Sequence, residues 1–243
     1  MDKILKLTLG LLLILLIASV SVFAYQAFTE WAYRESFTGT YSYTCTIATD
    51  SSLTNVTFFL PVPADPSGNS PVVAGFSYGT ISGVPDDWDV TLYDTGKATM
   101  VKIMADTITP PPGQSPYSIR MSADVSSKTA IDTRDPLNAS ALFRPVAGLS
   151  QVPCVPGPNA GNPLCYHYMT SLYADYEAAA DASVMITTTI NGRNTWTIFE
   201  PDSNEYSGTA ALQMNGAHKG WSAMKVTLTD TIGSYDTPRL TDG

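Results

Sequence analysis

VMITTTINGRNTWTIF, residues 184–199, is the stretch on which the fold turns. Val184 to Ile190 and Thr195 to Phe199 are dense in β-branched and aromatic residues. Asn191-Gly192 between them supplies the positive φ angles of a tight turn. The stretch predicts a β-hairpin with its turn over Asn191-Gly192-Arg193-Asn194. Asn-Gly recurs at Asn215-Gly216, between Ala210–Met214 and a run holding Trp221, Met224, Val226 and Leu228. That predicts a second antiparallel pair, with Trp221 anchoring the core and His218 in the preceding turn.

Upstream the period is again two. Tyr41, Tyr43, Cys45 and Ile47 alternate with Thr and Ser, and Val56, Phe58, Leu60 and Val62 alternate with Asn55, Thr57 and Phe59 until Pro61 and Pro63 remove backbone donors. Shorter β-rich pieces follow at Val72-Val73, Trp88–Leu92, Thr99–Ile103 and Tyr117–Val125, separated by turns rich in Pro, Gly, Asp and Asn. One segment reads as helical: in 166–182, Met169, Leu172, Tyr173 and Tyr176 recur at three- and four-residue spacing. The expected fold is all-β, a β-sandwich-like body of two sheets face to face with one short helix, preceded by an N-terminal transmembrane helix.

That first helix is expected because Leu7–Phe28 holds no charge. These 22 residues would rise about 33 Å, a bilayer's hydrocarbon thickness. Lys3 and Lys6 precede the run, which sets the N-terminus in the cytoplasm and the C-terminal domain outside the cell. Val22-Phe23-Ala24 also fits a signal-peptidase site, the alternative being secretion after cleavage near Ala24. Apolar and aromatic character continuing through Tyr25, Phe28, Trp31 and Tyr33 favours retention as a membrane anchor. The expected organisation is an anchor over 1–30, an extracytoplasmic β domain over 31–233 with any subdomain boundary near 136–165, and a polar tail over 234–243.

The chain carries a net charge of −9, and residues 1–24 hold Asp2, Lys3 and Lys6, so the ectodomain is more acidic still. Nucleic acid is thereby excluded as a partner, since its binding needs basic patches. The expected partners are the membrane, through the N-terminal helix, and further copies of the chain or other envelope proteins.

Chemistry-bearing residues are few. Cys154 and Cys165 flank a Pro- and Gly-rich loop, and an oxidising compartment lets them close a disulfide, contributing about 3 kcal/mol in the chain-entropy account. Cys45, on an apolar strand face, reads as a buried free thiol. Copper ligation by Cys165, His167 and Met169 needs a second histidine, and the only other one, His218, lies downstream; zinc ligation by Cys45, Cys154, Cys165 and His167 ranks below the disulfide because thiols outside the cell are usually oxidised. No cofactor is expected beyond calcium, for which Asp86, Asp87, Asp89, Asp202 and Glu205 are the weak candidates. Asn55-Val-Thr and Asn138-Ala-Ser are glycosylation sequons. Gly75-Phe76-Ser77-Tyr78-Gly79 matches a hydrolase elbow in letters, but the Gly and Pro that follow deny it the helix it needs.

The run Asn55-Val56-Thr57-Phe58-Phe59-Leu60-Pro61-Val62-Pro63 and the run His218-Lys219-Gly220-Trp221 resemble those of uncharacterised single-span cell-surface exoproteins of archaea. The resemblance implies an N-terminal anchor and a β-rich ectodomain and brings no activity. The expectation is a non-enzymatic protein with a structural or protein-association role at the cell envelope. Two alternatives stand beside it: a ligand- or glycan-binding surface module whose pocket is lined by Tyr78, Trp88 or Tyr93, and a secreted serine hydrolase pairing Ser77 with His167 or His218.

Overall fold

The computed structural model describes residues 2–77, 81–95, 98–127, 129–154 and 163–235. Helix α1 (Asp2–Ser36) opens the chain, followed by β1 (Thr38–Thr49), β2 (Leu53–Pro61), the short β3 (Pro63–Ala64) and helix α2 (Val73–Ser77). Next come β4 (Asp89–Asp94), β5 (Thr99–Ile108), β6 (Tyr117–Ser127), a one-turn helix α3 (Pro136–Ala139), β7 (Leu142–Phe143) and β8 (Ala147–Val152). Four long strands finish it: β9 (Cys165–Glu177), β10 (Ser183–Thr197), β11 (Pro201–Asn215) and β12 (His218–Gly233). The fold is all-β with an N-terminal helix. The described residues of Met1–Phe37, Thr195–Ser203 and Ser234–Gly243 form one compact unit, and those of Thr38–Asn194 and Asn204–Gly233 form the other.

In the larger unit one curled antiparallel sheet runs in the order β4-β5-β2-β9-β12-β11-β10-β1-β6, with β8 added beside β9. The sandwich-like body is therefore a single sheet curled on itself. Its two edges, β4 and β6, are both touched by α2, and Ser82 bridges Ser122 of β6 through a reciprocal pair of backbone hydrogen bonds of 3.0 and 3.1 Å. Inside the curl lies one continuous core, built on Tyr43, Phe58, Leu60, Ile103, Phe143, Tyr168, Leu172, Tyr176 and Tyr206. It draws on strands from both sides of 136–165.

Period-two patterning identified β1 and β2 correctly: Tyr43, Cys45 and Ile47 are buried, as are Val56, Phe58, Leu60 and Val62. Gly216 takes φ +68° in the tight turn between β11 and β12, as its Asn-Gly signal predicts.

Several expectations need correction. No turn falls at Asn191–Asn194, since β10 runs unbroken from Ser183 to Thr197 and meets β11 around residues 198–200. Gly192 serves close approach instead: a Cβ there would overlap the Tyr206 ring. The helix expected over 166–182 is strand β9. Its buried residues Tyr168, Thr170, Leu172, Ala174 and Tyr176 repeat every second position, and between β2, β8 and β12 that period is the one that pays. Short helices occur at Val73–Ser77, where a strand at Val72-Val73 was expected, and at Pro136–Ala139.

Cys154 and Cys165 form the disulfide, tying the chain just beyond β8 to the first residue of β9. The buried Asp230 completes this corner: its carboxylate accepts the Leu164 N–H at 3.0 Å and the Thr231 hydroxyl at 3.0 Å. Burial outweighs these bonds and raises its pKa above the usual carboxylate value. The folded state thus holds this proton more tightly than the unfolded chain, and stability contributed by it is lost as pH rises through the raised value. Thermal melts of the parent and of Asp230→Asn are expected to diverge as pH rises through and above the ordinary carboxylate range, the parent losing ground. Parallel curves would contradict the assignment.

Candidate functional site

Four strands of the larger unit carry one row of large side chains on the face opposite the core. Trp221 (β12) lies across from Tyr173 (β9), Tyr173 from Phe59 (β2), and Phe59 from Lys102 (β5). The ring centroids of Trp221 and Tyr173 are 5.5 Å apart, those of Tyr173 and Phe59 5.4 Å, and those of Phe59 and Tyr93 of β4 5.1 Å. All three pairs are tilted or edge-to-face, the arrangement the ring quadrupoles favour. The Lys102 ammonium stands 5.9 Å over the Phe59 ring.

One row further along, Lys219 Nζ sits 2.9 Å from the Asp175 carboxylate, which also accepts the Tyr173 hydroxyl at 3.3 Å. The hydrogen bond to Asp175, reinforced by its charge, raises the Lys219 pKa. The inner rank was filled by residues of the opposite parity, Phe58, Leu172 and Ala174, and this left the aromatic row facing outward. Its ends are the most open: Trp221 is 58% exposed and Tyr93 47%.

Beside Trp221 the surface dips into a groove of about 700 Å³, lined by Thr95, Ala98, Met100, Arg144, Pro145 and Ser171. Arg144 is held in place by donating Nε–H to the Ala64 carbonyl at 2.9 Å, on the small β3–β7 sheet. The groove combines one open indole, two hydroxyls and one guanidinium.

Sequence reasoning missed most of this row. Trp221 was expected in the core, yet it shares parity with Lys225 and not with the buried Met224, Val226 and Leu228, a signal present in the sequence. Of the three aromatics proposed for a pocket, Tyr93 belongs to the row, Trp88 is buried at 8% exposure, and Tyr78 lies outside the described residues.

The remaining candidates do not converge. Thr227 lies opposite His167 and His218 opposite Tyr176, so the two histidines are nine positions apart along β9, about 30 Å. His218 Nε2 lies 3.1 Å from Ser222 Oγ and its ring stacks on Tyr176. Among the described residues no carboxylate hydrogen-bonds either imidazole. Ser77 ends helix α2, whereas a nucleophile elbow places a strand before the serine and a helix after it. Both thiols of the loop are consumed by the disulfide, and burial drives the free Cys45 thiol pKa far upward.

Asp87 and Asp89 line a shallow groove with Asp106 and Asn55. Glu205 is engaged instead by Arg193 at 3.7 Å, and Asp202 accepts the Ser203 N–H at 2.8 Å. No group of three or more metal-ligating side chains occurs among the described residues. Both sequon asparagines are exposed, Asn55 at φ +53° in β2 and Asn138 in α3. Comparison with family models, with characterised proteins and with solved structures finds no match.

Proposed function

We propose that this is a membrane-anchored envelope protein whose ectodomain works by association, with the face around Trp221 as its contact surface. The anchor reading is supported by α1, whose large side chains from Leu7 to Phe23 are exposed and apolar. Lys3 and Lys6 ahead of it and the disulfide beyond it support a cytoplasmic N-terminus and an extracytoplasmic body. The observation that carries the associative role is the row Tyr93–Phe59–Tyr173–Trp221. Rigid aromatic surface of this kind costs little entropy to bind with and is where contact energy concentrates.

The test is photo-crosslinking from a benzoylphenylalanine at Tyr93 in native membranes, with Asp124 of β6 as the control position. Adducts are expected from Tyr93 and not from Asp124, and Trp221→Ala should reduce the Tyr93 yield by about tenfold or more, the scale of an interface hot spot. Equal yields from both positions, or indifference to Trp221→Ala, would count against this surface.

A second reading, glycan binding, is favoured by the groove itself. Trp221 offers a ring face for stacking on a sugar, while Ser171 and Arg144 stand at its side as polar groups. Titration of the detergent-solubilised full chain with neutral oligosaccharides, followed by tryptophan fluorescence, separates it from protein association: saturation abolished by Trp221→Ala selects the glycan.

A further inference from the structure

The smaller unit holds a second cluster of exposed rings that the associative surface does not use. One face of α1, on which Thr29, Ala32 and Tyr33 are buried, meets the end of β10 through Tyr33 and Ser36. Tyr33 meets Trp196 at 5.7 Å between centroids, and Ser36 Oγ both donates to the Thr197 carbonyl at 2.9 Å and accepts the Thr197 N–H at 2.8 Å. These contacts hold the tip residue Phe199 against Tyr25 and Phe28, with centroids 6.1 and 6.0 Å away. Phe28 in turn contacts Trp31 at 6.2 Å.

Held so firmly, Phe199 is nevertheless 65% exposed, as Tyr25 and Trp31 are mostly exposed. The three helical rings fall within about 9 Å along the α1 axis, with Phe199 against two of them, at the level where the uncharged run Leu7–Phe28 gives way to Glu30, Arg34 and Glu35. A fixed phenylalanine turned outward here has water on one side of that level and, for a helix in a bilayer, acyl chains on the other. Aromatic belts occupy this depth.

We propose that the β10–β11 tip is a second membrane contact, with Phe199 seated beside Tyr25, Phe28 and Trp31 in the headgroup–acyl boundary of the outer leaflet. The occupant is lipid, because the ring cluster is continuous with the apolar surface of α1. The inference rests on reading α1 as a membrane span and goes beyond it by adding a loop some 160 residues downstream to the anchor.

The experiment uses the full chain in phosphatidylcholine vesicles, with an environment-sensitive NBD probe on a cysteine introduced as Phe199→Cys, Leu15→Cys or Asp124→Cys in separate variants. Cys45 is buried and Cys154 and Cys165 are bonded to each other, so the label reports on the introduced thiol. Position 199 is expected to be quenched by shallow doxyl lipid about twofold or more over aqueous iodide, position 15 by deep doxyl lipid, and position 124 by iodide. Deep quenching at 15 with iodide quenching at 199 would overturn the proposal while leaving the anchor intact. Iodide quenching at all three positions would remove both. Protection of 199 from iodide and from lipid alike would also overturn it, with protein covering the ring.

Discussion

Gly192→Ala is expected to destabilise the protein by about 2–3 kcal/mol, lowering the melting temperature by roughly 5–10 °C. In an ordinary strand the same change would be mildly stabilising, since glycine loses more backbone entropy on folding, by about 0.5–1 kcal/mol. Collision outweighs entropy here. The new methyl would overlap the Tyr206 ring, which is fully buried and cannot swing away because its hydroxyl donates to the Ala141 carbonyl at 2.6 Å. Thermal melts of Gly192→Ala, Tyr206→Ala and the double variant check the cause. Once the ring is gone the alanine should cost nothing further, a coupling of about the full single-variant loss. Additive losses would show that Gly192 is needed for some other reason.

Asn194→Ala is expected to cost more, about 3–5 kcal/mol, because it leaves buried partners unpaired. Asn194 is 4% exposed and treats Ile131 as a neighbouring strand would: its Oδ1 accepts the Ile131 N–H at 2.9 Å, and its Nδ2 donates to the Ile131 carbonyl at 2.8 Å. Nδ2 also donates to Asn204 Oδ1 at 2.9 Å, which in turn accepts the Thr133 hydroxyl at 2.9 Å. The amide thereby clamps residues 131–133 onto β10 and β11. Asn194→Asp keeps the acceptor, loses both donors and sets a carboxylate against two carbonyl-type oxygens, so it should be no better tolerated than alanine. Denaturant midpoints measure the loss, and hydrogen exchange at the Ile131 amide locates it: protection there should fall in both variants. An unchanged midpoint in Asn194→Ala would mean the clamp contributes nothing.

Both residues come from one tetrapeptide, Asn191-Gly192-Arg193-Asn194, and it shows how a sequence signal can be misread. Asn191-Gly192 marks a turn because it tolerates positive φ, but here Gly192 lets the strand backbone pass close to a ring and, two residues on, the Asn194 amide imitates a strand. Only the position of Tyr206 and Ile131 in space separates the two uses. The segment 166–182 is a similar case: Met169, Leu172, Tyr173 and Tyr176 fit a helical spacing, but neighbouring strands on both sides select period two, which turns Leu172 and Tyr176 inward and Met169 and Tyr173 outward.

What the sequence determined by itself is whatever depends on local composition: an uncharged run long enough for a bilayer, alternation in β1 and β2, the glycine turn at Gly216, and two cysteines near enough to pair. Tertiary structure alone decided the curl that makes one sheet serve as both walls of the core, and the row that brings Tyr93, Phe59, Tyr173 and Trp221 together from four separate strands. Registers between strands are set by which faces the whole sheet can bury, a long-range property, so side chains far apart in the chain become neighbours only once every strand has taken its place.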